Sequence, residues 1–386
     1  MSDLRALAKR RVPRWIFEYA EGGSYGESTL DLNRRELSAI RLRQRVMVDV
    51  STRRQETSIL GENISMPVGI APTGLAGFFH PNGEIHAARA AEKLGVPFCL
   101  STVSICSIEE VRAATQRPFW FQIYVMRDRG LTRSLIERAI AAKCAALVLT
   151  LDLPLQAQRH KDIKNGLTIP PRLTLRNLLD MSRTPKWALG TLAAGKFNFG
   201  NFRGALDEGS SMTSFAQWVA GSFDPTLTWQ DVYWVRSIWP GKLILKGILD
   251  TEDAKAAVEV GGDAIVVSNH GGRQLDGAPS SISVLPSIVD AVGGDTEVMF
   301  DGGITTGQDV LRALALGARC CLIGKSFLYG LAAMGELGVH KVFDILRKEI
   351  DVTLALGGIG DVRDIDISAL YLNHSAMPAK STPSGI

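Results

Sequence analysis

Charge of one sign is nearly absent as an excess. Against 43 Lys and Arg stand 40 Asp and Glu, a net +3 over 386 residues, too small an imbalance to imply a nucleic-acid surface. Cysteine is scarce and unpatterned: Cys99, Cys106, Cys144, Cys320 and Cys321 form no CxxC and no Cys/His ligand spacing. That leaves no metal centre and no disulfide framework to read. Cys99, Cys320 and Cys321 fall within apolar runs, where a thiol acts as a small hydrophobe, and a reducing compartment is expected. No window supplies the about 18 apolar residues of a membrane span. The basic start, MSDLRALAKRRVPRW, lacks the apolar centre of a signal peptide, so a soluble, cytoplasmic protein is expected. Internal repeats and low-complexity tracts are missing, as is a Rossmann glycine fingerprint after any early strand, which argues against a nicotinamide cofactor.

What is present is a globular composition, with 46% hydrophobic and 22% charged residues, which excludes disordered and fibrous classes. Short apolar runs recur at Val68–Ala71, Phe98–Ser101, Phe119–Tyr124, Ala146–Thr150, Leu243–Lys246, Ala264–Ser268, Val298–Asp301 and Cys320–Ile323. Near-continuous runs of this length read as strands buried on both faces, as parallel sheets require. Helical patterns lie between them, among them Gly83–Leu94, Ile108–Ala114, Leu131–Ala142, Glu252–Val260 and Gly307–Leu316. Eight such strands predict an α/β fold of the (β/α)8 TIM-barrel type, with a doubly wound sheet as the rival. One domain over 1–386 is expected. Residues 1–50 read as a helical extension that caps the barrel, and Ile59–Met66 as a hairpin leading into the first strand. The long interruption at 155–228, between the fourth and fifth strands, reads as a lid, a contact surface or a solvated loop.

Polar residues close all eight runs: Thr73, Ser101, Gln122 with Tyr124, Thr150 with Asp152, Lys246, Ser268 with His270, Asp301 with Gly302 and Gly303, and Gly324 with Lys325. In a barrel the loops after the strands converge on one face, so this set describes a hydrogen-bonding floor wide enough for a cofactor. The densest stretch is SNHGGRQLDG at 268–277. A His just past a buried strand is placed for proton transfer. Arg273 offers a planar fork for a carboxylate, and the glycines permit a sharp turn. An isolated HxxR is also what an ordinary surface turn looks like. The glycines after the seventh and eighth runs, with Lys325, suit a phosphate.

Together these residues resemble the FMN-dependent L-2-hydroxy acid oxidases and dehydrogenases. The resemblance runs through FEYAEGG at 17–23, APTGL at 71–75, WFQIYV at 120–125, TLDLP at 150–154, LILKGI at 243–248, SNHGGRQLDG, FDGG at 300–303 and LALGARCCLIGK at 314–325. Within the family, STVSICSIEEV at 101–111 and WPGKLILKGILD at 239–250 are most similar to bacterial L-lactate dehydrogenases.

The resemblance implies an FMN enzyme that oxidises an L-2-hydroxy acid, with L-lactate expected, to the 2-oxo acid. It implies His270 as base with Asp152 as its partner, and Arg159, Arg273 and Tyr19 on the substrate carboxylate. Tyr124 falls on the substrate oxygen. Thr73, Ser101, Gln122, Thr150, Lys246 and Ser268 fall on the flavin, and Asp301 on the ribityl chain. Gly302, Gly303, Gly324 and Lys325 fall at the phosphate. Electrons pass to a quinone or other acceptor, or to O2 with hydrogen peroxide as product. Family habit implies a homotetramer, and Lys186 and Trp187 suggest peripheral membrane contact through 186–199. A flavin barrel for a modified peptide or an isomerisable diphosphate, or a non-enzymatic flavin binder, are the alternatives.

There are departures. The family's Arg after FDGG is replaced by Ile304-Thr305-Thr306, and Lys325 stands for a frequent Arg. Unless another cation compensates, FMN retention is expected to fall by about 1.5–3 kcal/mol, one charged hydrogen bond. Val103 stands at an often aromatic position, which leaves substrate size open. Gly74, where several oxidases carry Ala, leans towards a dehydrogenase.

Overall fold

The computed structural model describes residues 1–165, 175–203 and 221–371. A hairpin of β1 (Thr57–Ile59) and β2 (Glu62–Ile64) precedes eight parallel strands: β3 (Val68–Ile70), β4 (Cys99–Leu100), β5 (Trp120–Ile123), β6 (Ala146–Thr150), β7 (Lys242–Ile248), β8 (Ala264–Val267), β9 (Glu297–Asp301) and β10 (Cys320–Ile323). Each barrel strand pairs with its sequence neighbour except at the seam, where β10 pairs β3. Between β3 and β4 a parallel bridge, Ile70 to Phe98, brings the circuit round. The (β/α)8 barrel is therefore the architecture, and the doubly wound alternative is excluded.

The apolar runs form strands because both faces are covered. One set of side chains fills the barrel interior: Cys99, Trp120, Ala146, Val148, Ile244, Ala264, Val266, Met299, Cys320 and Leu322 cluster with Ile59 and Ile64 of the hairpin. The hairpin thus packs into the barrel core. The alternate set, including Leu147, Leu149, Leu243 and Leu245, meets the surrounding helices. Each such side chain contributes about 1.5–3 kcal/mol by leaving water. All five cysteines are buried and free, as small hydrophobes should be.

Helix starts are locally encoded. Ser107 with Glu110 and Thr306 with Asp309 close reciprocal capping boxes. The N-terminal extension forms α1 (Ser2–Arg11), α2 (Arg14–Glu21) and α3 (Ser28–Ala39). Trp15, Ile16 and Phe17 of α2 enter the core. Between β6 and β7, helices at His160–Lys164, Leu175–Ser182, Pro185–Ala194 and Trp229–Ile238 are described. Residues 166–174 and 204–220 of the interruption lie outside the described residues. Among those described, no helix is long and apolar enough to cross a membrane.

Candidate active site

The loops after the strands enclose a cavity of about 790 Å³, within the range of cofactor and substrate pockets. His270, Lys246, Tyr19, Tyr124, Arg159 and Arg273 line one region. Thr73, Asp301, Gly302, Gly303, Gly324 and Lys325 line the rest, with Ser101 at the floor. Asp152, Gln122, Thr150 and Ser268 lie behind that surface and hold the lining residues.

His270 follows β8 in a left-handed conformation, φ 59°, continued by Gly271 at 67° and Gly272 at 72°. That backbone is costly for a side-chain-bearing residue, of order 1–3 kcal/mol, and the surroundings enforce it. Ser268 Oγ accepts from the His270 amide at 3.1 Å and from Lys246 Nζ at 2.7 Å. A Cβ on Gly272 would fall 2.5 Å from the Leu30 amide nitrogen, so α3 presses directly on the turn. His270 Nδ1 lies 3.0 and 3.2 Å from the two oxygens of Asp152, which leaves Nε2 for the cavity. Room for Asp152 comes from Gly247, φ 105°, at an irregularity in the β7–β8 pairing.

Burial works against the Asp152 carboxylate, but His270, by charge and hydrogen bond, and the Lys246 ammonium hold it below its ordinary value. Lys246 is only 4% exposed. Burial disfavours its charge, yet Asp301, 2.9 Å away, and Asp152 raise its pKa above the usual lysine value. The cavity therefore keeps a buried cation, joined to the His270 turn through Ser268 Oγ.

Arg273 stacks over the Tyr19 ring, 4.6 Å from its centroid, and Arg159 lies 5.9 Å from the same ring. Arg273 Nη1 donates to the carbonyls of Tyr19 and Gly22. Burial and the neighbouring Arg159 lower the Arg273 pKa, the electrostatic signature of a site built for an anion. Asp162 shares this region: Arg159 Nη1 is 3.7 Å from its Oδ2, and its Oδ1 is buried without a partner among the described residues. Desolvation raises its pKa, against the pull of Arg273 and Arg159 and with the push of Glu18 and Glu27. Burial likewise raises the Tyr124 phenol, helped by Asp152, so Tyr124 stays a neutral donor. Its ring meets Phe223 edge-on at 5.3 Å.

At the floor, Gln122 Nε2 donates to Thr150 Oγ1 at 3.0 Å, and its Oε1 accepts from Ser101 Oγ and the Thr102 amide, both at 3.2 Å. The network is neutral and buried. At the far end, a Cβ on Gly303 would lie 2.9 Å from the Asn33 carbonyl, so only glycine lets α3 seat there. At Gly324 a Cβ would meet nothing closer than Thr73 Oγ1 at 3.7 Å. Lys325 Nζ donates to the Glu21 carbonyl at 3.0 Å.

The profile of the FMN-dependent dehydrogenase family matches residues 8–372. This chain belongs to that family. It is 48% identical over 370 residues to an L-lactate dehydrogenase of Caulobacter vibrioides, covering 96% of each chain. It is 46% identical to one of Vibrio parahaemolyticus, covering 96% of this chain and 97% of that one. Among solved structures it is similar to the monotopic membrane protein (S)-mandelate dehydrogenase, with TM-score 0.92 and 37% identity over 96% and 98% of the two chains. A mandelate oxidase matches with TM-score 0.80 and 37% identity over 94% and 95%.

The residues fit FMN. A ring that is apolar on its faces and polar at its edge suits the neutral Ser101–Gln122–Thr150 network with one buried cation, Lys246. Asp301 Oδ1 is buried and unpartnered among the described residues, so a hydroxylated chain has an acceptor waiting. Gly302, Gly303, Gly324 and Lys325 can take a phosphate.

Several lining residues escape a motif reading: Arg34 on α3, Asp162, Phe199, Phe223 and Tyr329. One expectation needs correction. Trp187 is not a surface anchor, because it is 8% exposed, its Nε1 donates to the Phe78 carbonyl at 2.6 Å, and its ring packs edge-on against Trp15. The exposed apolar side chains nearby are Leu178, Leu179, Leu189 and Leu192.

Proposed function

We propose that this protein oxidises L-2-hydroxy acids, L-lactate first among them, to 2-oxo acids. The observation that carries the reading is His270, tied to Asp152 through Nδ1 and facing, across one cavity, two arginines and a neutral phenol. Arg159 and Arg273 bind the substrate carboxylate, and the Tyr19 hydroxyl donates to it. Tyr124 donates to the C2 oxygen. His270 Nε2 takes the proton released as C2 is oxidised, whether from carbon or from the hydroxyl, since both routes use the same base. Asp152 stabilises the imidazolium so formed. FMN would supply the two-electron acceptor, and Lys246 would place a buried positive charge against it. Ser101, Gln122, Thr150 and Thr73 orient the ring, Ser268 orders Lys246 and His270, and Asp301 holds the ribityl chain.

The segment at 155–228 serves as a lid within a single barrel domain, supported by Leu155, Arg159, Phe199 and Phe223 in the cavity wall. The acceptor is a membrane-borne carrier such as a quinone, reached from the cytoplasmic face. Supporting this are exposed Leu178, Leu179, Leu189 and Leu192, with basic Lys186 beside them. A homotetramer is supported by exposed Val46, Met47 and Leu356, which cluster where the Arg45 amide bonds the Leu356 carbonyl. Anaerobic mixing of the FMN-loaded protein with L-lactate tests the chemistry. Bleaching of the flavin by L- but not D-lactate is expected, with slow recolouring in air. Rapid recolouring would make it an oxidase, and no bleaching with FMN bound would overturn the substrate.

A further inference from the structure

The loop after β9 offers no cation to the far end of the cavity. Thr305 turns inward: its amide and hydroxyl both donate to Asp309 Oδ2, at 3.0 and 3.1 Å, and the Thr306 amide adds a third bond at 2.9 Å. Arg312, the nearest loop-side guanidinium in sequence, is spent on Asp309 Oδ1 and the Ile40 carbonyl. Positive charge nevertheless gathers here from other elements. Lys325 opens the helix Lys325–Met334, and Arg34 reaches the cavity from α3 because the Asn33 backbone rests on Gly303.

The neighbouring carboxylates are already committed. Glu21 pairs with Arg5 and accepts from the Tyr329 hydroxyl, and Glu27 pairs with Lys161 at 2.6 Å. Arg34 makes no ion pair among the described residues. Burial, then the charges of Arg273 and Arg34, push the Lys325 ammonium well below its ordinary pKa against the opposing pull of Glu21 and Glu27. Two cations that repel one another across this end of the cavity, while Glu21 and Glu27 beside them are already paired, call for an anion, and a phosphate carries up to two charges.

We propose that Arg34 and Lys325 together form the cationic clamp on the FMN phosphate, with Arg34 supplying the charge that the Thr305 loop lacks. This rests on the FMN reading above. A guanidinium suits a phosphate because its fork bonds two oxygens at once.

The test is to remove the flavin and titrate the apoprotein with FMN and with riboflavin, which lacks the phosphate, following quenching of flavin fluorescence. Arg34→Gln should weaken FMN by about 10- to 100-fold, the range for a charged hydrogen bond, and leave riboflavin unchanged. The salt dependence of FMN binding should fall with it. Adding Thr305→Arg to Arg34→Gln should restore FMN affinity, and Arg34→Lys should retain part of it. Equal loss of both flavins would make Arg34 structural and overturn the proposal, as would no loss of FMN. A wild-type protein that binds riboflavin and FMN equally would also overturn it while leaving the flavin reading intact. Failure to bind either flavin would sink both.

Discussion

Asp152→Asn separates the charge of the His270 partner from its hydrogen bond. The amide oxygen still accepts from Nδ1–H, so the ring keeps its orientation, while the negative charge opposite the forming imidazolium disappears. With Nδ1 3.0 and 3.2 Å from the two carboxylate oxygens, the charge centres are about 4 Å apart. At an effective dielectric constant of about 20 that is worth about 4 kcal/mol. The side chains of His270 and Asp152 are 21% and 13% exposed, so solvent screening reduces this to about 2–4 kcal/mol. At about 1.36 kcal/mol per decade, flavin reduction should slow by about 30- to 1,000-fold.

The measurement is the anaerobic rate of flavin bleaching at saturating L-lactate, together with the lactate concentration that gives half the maximal rate. The arginines are untouched, so the loss should fall on the rate and leave half-saturation within about threefold. A rate within fivefold of wild type, or a loss carried by substrate affinity alone, would refute the idea that Asp152 works by its charge. Glutamine at His270 gives the outer limit: FMN retained, and reduction by lactate lost.

Three further perturbations follow from the same geometry. At Gly247, φ 105°, an added Cβ would lie 2.8 Å from Asp152 Cβ and Cγ. Gly247→Ala should therefore lower stability by about 1–3 kcal/mol and slow flavin reduction, and an unchanged melting temperature and rate would dismiss the contact. Burial raises the Asp162 pKa, so its carboxylate ionises only above the ordinary aspartate range and then competes with substrate for Arg159 and Arg273. The KM for L-lactate should rise with pH through that ionisation, Asp162→Asn should flatten the rise, and a mutant with the wild-type pH profile would end the argument. Replacing Leu178, Leu179, Leu189 and Leu192 with serine should release the protein from anionic lipid vesicles in flotation. Wild-type protein that never floats would remove the membrane surface altogether.

The barrel was legible because parallel strands covered on both faces must be apolar at nearly every position, and such runs end where the core ends. The residues at those ends inherit a common face from chain topology. Gln122, Thr150 and Lys246, far apart in sequence, therefore meet, and polar residues at the ends of the apolar runs were enough to find them. The turn at His270 was half legible. Gly271 and Gly272 announce a sharp bend, but nothing local says that His270 itself takes φ 59°, since that depends on α3 pressing from over 200 residues upstream.

Trp187 failed for the same reason in reverse. A Trp beside a Lys in a Gly-rich stretch has the local composition of a membrane anchor, yet Trp15 and the Phe78 carbonyl claim it. Arg34 was illegible in a more instructive way. On an amphipathic helix a mostly exposed Arg reads as solvated surface, and only the packing of α3 against the Gly272 and Gly303 turns brings it to the cavity. Motifs record which element usually carries a charge, whereas a phosphate responds only to the charge that arrives. Three elements converge on that end of the barrel: the loop after β9, the helix after β10, and α3. A missing Arg in one of them predicts lost binding only if the other two are empty, and here neither is.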